Sequence, residues 1–179
     1  SRKGSDVTSL LRAVSQPGAL GVLLAITLHN MSLVAFMSMA PLYFQDVQNF
    51  SPALTGLGFS LFLIGGAVAS PFVGHISDQI GRKLLAIVGL IGGGVFAWII
   101  TFASGAAAIF PLLVIMGILM LAIRSVIIAM ALEKIGHQES TVLGLISSVG
   151  EGVAALGAVL AGMLGAIDLA FALILAAIL

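Results

Sequence analysis

Gly74-His75-Ile76-Ser77-Asp78-Gln79-Ile80-Gly81-Arg82-Lys83 is a short polar stretch between two long apolar runs, and its placement decides how the chain reads. Neither the run before it, residues 52–73, nor the run after it, residues 84–104, holds a charged residue. Gly74 and Gly81 permit a tight reversal and close helix approach. Asp78 is favoured near the positive N-terminus of a neighbouring helix. A polar hinge joining two helices is therefore expected over residues 74–83.

Composition identifies the solvent. Hydrophobic residues make up 60% of the chain and charged residues only 8%, against about 25% charged in a soluble domain. Mean hydropathy is +1.25. Such a chain belongs in a lipid bilayer, where roughly 20 apolar residues cross a ~30 Å hydrocarbon core as a helix. A net charge of zero gives no signal for a nucleic-acid partner, and the absence of cysteine removes disulfides, thiolate metal sites and thiol redox chemistry.

Outward from the polar stretch, apolar runs occupy residues 18–44, 52–73, 84–104, 107–132, 141–164 and 167–179. Only helices or closed barrels satisfy backbone polar groups in lipid, and barrel strands would be short and alternating. An all-α integral membrane fold with six helices follows. Residues 1–16 form a polar leader and residues 17–179 the membrane domain. Pro17, Pro52 and Pro111 stand near run starts, and Ser140 or Thr141 suits the cap of the fifth helix. The last run, from Asp168, would rise only about 18 Å at ~1.5 Å per residue, so a truncated sixth helix and a chain cut from a longer protein are expected.

Alternate loops share one side of the membrane. That side holds Arg2, Lys3, Arg12, Arg82, Lys83 and Lys134, while the opposite loops carry no lysine or arginine. The positive-inside rule makes the leader and the Gly74–Lys83 loop cytoplasmic in a multi-pass cell-membrane protein.

With Gly74, Asp78, Gly81, Arg82 and Lys83 in this order, the stretch resembles the loop signature of the major facilitator superfamily, found between the second and third helices of a six-helix half. Ile76 stands where that signature has leucine, and Gln79 where it has a first basic residue. The stretch from Arg124 through Glu133 to Gly157 and Gly162 resembles the fourth and fifth helices of a C-terminal half, with Gly157-Ala158 replacing a frequent Gly-Pro pair. The resemblance implies half of a bundle built from 3+3 inverted repeats, a missing N-terminal half, and alternating access. It also implies that Asp78 and the Arg82-Lys83 pair latch the cytoplasmic side. The plainer alternative makes Arg82 and Lys83 orientation anchors only.

Depth counting selects the second constellation. His29 lies 12 residues beyond Pro17 and Glu151 lies 12 beyond Glu139, each about 18 Å into its helix. Arg124 lies nine residues before Glu133, roughly 13 Å in. Each charge near the midplane costs about 2.5–3.5 kcal/mol on insertion scales, so these groups should face protein or water. Glu151, between Gly150 and Gly152 and sharing a face with Gly144, Ser147 and Ser148, is the first candidate for a proton-coupling carboxylate; a structural hydrogen-bonding role is the alternative. His29 with Asn30 can relay a proton or meet a substrate oxygen, or simply bind a neighbouring helix. Arg124 can hold an anionic group or neutralise Glu151, or snorkel to the interface.

No carboxylate or histidine stands three or four residues from His29, so a metal site has no local support, and no cofactor is expected. Paired aspartates, HExxH and GxSxG are missing, which argues against an enzyme. The glycine clusters at 65–66, 92–94 and 157–162 read as close-packing helix surfaces, and Trp98 and Tyr43 as interfacial anchors. The expected function is secondary transport of a small organic solute, by proton-coupled efflux. The alternative is a non-transporting membrane subunit or sensor with the same fold.

Overall fold

The computed structural model describes residues 19–135 and 139–179, with the side chains of residues 134–149 outside the description. The expected leader, Pro17, and the Ser140, Thr141, Gly144, Ser147 and Ser148 side chains fall outside it as well. All regular structure among the described residues is helical. Helix α1 is Ala19–Leu42, α2 Pro52–Ile80, α3 Arg82–Ile100, α4 Ala106–Gly117, α5 Ile123–Ile135, α6 Glu139–Gly165 and α7 Leu169–Ile178. A π-helical turn at Tyr43–Val47 prolongs α1, and another at Ile118–Ala122 joins α4 to α5.

Four stretches are long and apolar enough to cross a bilayer: Leu20–Val47, Pro52–Ile80, Arg82–Ile100 and Ala106–Glu133. Gly150–Gly165 and Leu169–Ile178 are shorter apolar helices.

Local chemistry sets the ends. Ser51 caps α2 by accepting from the Leu54 N–H at 3.2 Å, with Pro52 at the first helical position. Asp168 caps α7 by accepting from the Ala170 N–H at 2.8 Å. Pro111 is the sixth residue of α4, past the first turn, so its missing N–H is not one of the free ones at the helix start.

The ten-residue hinge expected at residues 74–83 is not formed. Helix α2 runs on to Ile80, and the reversal is concentrated in Gly81, whose φ of 97° lies where a side chain would be strained. The polar residues before it find partners along the helix. Ser77 Oγ donates to the Gly74 carbonyl at 2.6 Å, and Gln79 Nε2 lies 3.0 Å from His75 Nε2. Gly74 is mid-helix with open space around it, so it serves neither a turn nor a close approach.

Glycines elsewhere do bring helices together. The Cα of Gly117 sits on the Phe62 backbone carbonyl, joining α4 to α2, and that of Gly157 sits on the Met31 carbonyl, joining α6 to α1. Without side chains between them the backbones reach van der Waals contact, the main attraction available between helices in lipid. Ser32 Oγ donates to the Ala176 carbonyl at 2.5 Å and ties α1 to α7.

Two apolar cores result. Phe36, Phe44, Phe50, Phe59, Phe62 and Phe110 form an aromatic chain with ring centroids 5.8–6.5 Å apart. Ile26, Ala86, Ile123, Ile127 and Ala131 form the second core, toward the end of the bundle that carries Arg82, called the basic end below. Apolar residues of α2 and α3 such as Phe72 and Ile91 point outward, as a lipid solvent requires.

Tyr43 is buried, not interfacial. Its hydroxyl donates to the Thr101 carbonyl at 3.1 Å and accepts from Gln48 Nε2 at 3.3 Å. Gln48 also donates to the Ala103 carbonyl at 3.0 Å and accepts from the Gly105 N–H at 3.3 Å. These bonds tie the two connections at the end opposite Arg82. Trp98 is half exposed and meets Phe102 edge-on.

Candidate functional site

Two polar constellations interrupt this apolar body, and both involve α5. The first is at the basic end. Gly81 turns the chain so that Arg82 opens α3 directly beside the last turn of α2. Arg82 Nη2 and Nε donate to one oxygen of Asp78, at 2.9 and 3.2 Å, and Nη1 donates to Glu133 Oε1 at 2.6 Å. One guanidinium thus joins α2, α3 and α5. Its fork geometry allows this, because its donors point in different directions within one plane. Asp78 and Glu133 are well exposed, so water and salt screen the pairs and they open readily.

Of the other loop residues, Lys83 is exposed and makes no ion pair among the described residues. The helix N-terminus expected to receive Asp78, near Ser140, lies outside the described side chains.

The second constellation lies deeper. Arg124, the second residue of α5, directs Nη2 to Glu151 Oε1 on α6 at 3.8 Å. The Glu151 side chain is 67% exposed. A carboxylate near the centre of a membrane-spanning helix costs about 2.5–3.5 kcal/mol against lipid, and such groups face water or protein. Asn30 is buried, with its Nδ2 close to Gly150, the residue before Glu151.

His29 is not part of that open face. It is buried and lines a separate cavity of about 360 Å³ with Ser32, Gly93, Met120 and Ala176, on the side of α1 toward α3 and α7. Neither His29 Nε2 nor Arg124 Nε finds a hydrogen-bond partner among the described residues. The expected trio therefore divides into an open Arg124–Glu151 pair and a buried histidine.

Glu133 is the participant that sequence reasoning passed over. Its signal was present, as an acidic residue closing an apolar run at the same end as Arg82. The π turn before Arg124 left no sequence signal, since Ile118–Ala122 is uniformly apolar. Among the described residues, no group of three or more potential metal ligands is found.

Residues 22–179 match the family described as the Major Facilitator Superfamily. The chain is 30% identical over 149 residues to a triacylglyceride transporter of Mycolicibacterium smegmatis, an alignment covering 83% of this chain and 24% of that protein. It is also 34% identical over 65 residues to the multidrug resistance protein MdtG of Proteus mirabilis, covering 36% of this chain and 16% of that protein. The chain thus spans a quarter or less of the length of these relatives. Comparison with solved structures gives no match.

Proposed function

Because the chain belongs to the major facilitator superfamily, we propose that it forms the C-terminal six-helix half, of 3+3 design, of a cell-membrane carrier that expels a small amphipathic compound in exchange for protons. The observation that carries this reading is the Arg124–Glu151 pair. An acidic group near mid-depth on an open face can gain or lose a proton as that face alternates between the two sides of the membrane. At 3.8 Å the two groups form an ion pair longer than a hydrogen bond, so a substrate group has no tight bond to displace.

The basic end supplies the gate. Orientation by the positive-inside rule puts Asp78, Arg82 and Glu133 on the cytoplasmic side. There, pairs weak enough to open once per cycle hold α2, α3 and α5 together. A second half facing Glu151 supplies the rest of the site. MdtG is named for multidrug resistance and the mycobacterial relative for a triacylglyceride. The second name agrees with an apolar cargo.

The test uses the complete protein reconstituted in lipid vesicles, with a fluorescent amphipathic dye as cargo and an imposed pH gradient. Glu151→Gln keeps the shape of the side chain and removes its charge. Efflux driven by the gradient is expected to fall to background while the protein still elutes as a folded species. Undiminished efflux would remove Glu151 as the coupling group.

A further inference from the structure

We propose that His29 is a helix-pairing residue. Its Nε2 shares a hydrogen bond with a side chain of the segment that follows Leu179 in the complete protein, which carries α7 on through the groove between α1 and α3. This goes beyond the proposed function and does not rest on Glu151.

The last turn of α7 already lies in that groove. Ser32 of α1 donates to the Ala176 carbonyl, and a Cβ on Gly94 of α3 would fall on the Ala177 carbonyl. Helix α7 starts against the aromatic core and runs toward the basic end, opposite in direction to α1 and α3. Ahead of it the groove goes on. The cavity of about 360 Å³ beside His29 shares Gly21, Ala25 and Leu90 with a second of about 420 Å³, which reaches Lys83 and is otherwise apolar. Lys83 stands eleven positions before Gly94, so the groove runs about 16 Å along α3.

Its lining fits a helix. Gly21 and Ala25 on α1 and Ala86 on α3 are small enough for a third backbone to approach, and a Cβ on Gly21 would meet nothing within 4 Å. An acyl chain would fill the same apolar space, yet it offers His29 no hydrogen bond. His29 is 3% exposed, it borders the cavity, and its Nε2 has no partner among the described residues. In lipid, where no water satisfies such an atom, the partner comes from a neighbouring helix.

Register identifies that partner. His29 is three residues nearer the basic end than Ser32, about 4.5 Å along α1. Three residues along α7 from Ala176 lead to the level of Leu179. Helical side chains lean toward the N-terminus, so those that cover this level from the Ala176 face belong to the positions four and seven residues on. These are the first and fourth residues after Leu179. One of them carries a hydroxyl, amide or ionisable group.

The experiment uses the complete protein. Aliphatic side chains at both of those positions in its sequence overturn the proposal. His29→Leu, and the partner changed to leucine, are each expected to lower the melting temperature in detergent by several degrees, and the double variant no further than either alone. Shifts that simply add overturn the pairing. A crosslink decides if His29→Leu does not fold. Gly21, eleven positions before Ser32, is level with the eighth residue after Leu179. Gly21→Cys is combined with a cysteine at that residue, any cysteine elsewhere being replaced, and a disulfide is expected on mild oxidation in membranes. No disulfide there or at either neighbouring residue overturns the proposal. None of these readouts uses transport, so they are separate from the flux test of Glu151.

Discussion

Arg82 and Glu133 stand 51 positions apart in the chain, yet their side chains meet at 2.6 Å. Arg82 reaches Glu133 because the chain reverses within the single residue Gly81. The same guanidinium holds Asp78, four residues back on the preceding helix. The Arg82→Lys variant keeps the positive charge but replaces a planar fork by a point donor, which cannot hold both carboxylates in this geometry. Its melting temperature in detergent is expected to stay near that of the wild type, because exposed pairs contribute little to stability. The initial rate of dye efflux is expected to change, and equal rates would argue that the three-residue cluster does not gate.

Gly81→Ala tests the reversal itself. With φ at 97° and ψ at 126°, any side chain is forced into a strained conformation, at about 1–3 kcal/mol. Nothing lies near the added methyl, so the whole cost is conformational. Unfolding in graded denaturant should show a loss of that size, and Gly74→Ala, at an open helical position, should show none.

Gly117→Ala tests the close approach of α4 to α2. The new methyl would fall on the Phe62 carbonyl, which is backbone and cannot rotate aside. Overpacking of this kind costs about 1–3 kcal/mol. A lowered melting temperature is the expected result, and because the π turn starts at the next residue, slower transport should accompany it.

Tyr43→Phe removes the hydroxyl that joins the Thr101 carbonyl to Gln48. The aromatic packing against Phe44 stays. The Thr101 carbonyl is only half-buried, so losing its donor costs about 1 kcal/mol. Thermal unfolding should detect it, whereas an interfacial tyrosine would lose almost nothing.

His29→Gln should separate depth from direction. The side chain is buried and lines a cavity between α1, α3 and α7. Efflux driven by a pH gradient is expected to persist in His29→Gln and to be lost in Glu151→Gln under the same conditions. Loss in both would return the histidine to the proton path.

The apolar runs were legible in the sequence because hydropathy is local. Each of the six overlaps a helix or joined pair of helices, with ends displaced by up to seven residues, as where α2 runs to Ile80 instead of stopping near residue 73. The polar hinge was misjudged for an instructive reason. Polarity does not end a helix when each polar side chain finds a partner along it, as Ser77 and Gln79 do. Tyr43 was misplaced because an aromatic residue near a helix end suits an interface and a buried hydrogen bond equally well.

By itself the sequence determined the solvent, the helical class and the family likeness, and it spaced the ionisable groups along their helices at ~1.5 Å per residue. The tertiary structure decided which of those groups meet. Direction around a helix turns by ~100° per residue, and the neighbour found in that direction depends on packing by distant residues such as Gly117 and Gly157. The meeting of Arg124 with Glu151 on an open face, the burial of His29, and Glu133 under the reach of Arg82 are therefore matters of rotation and neighbourhood, which no local pattern encodes.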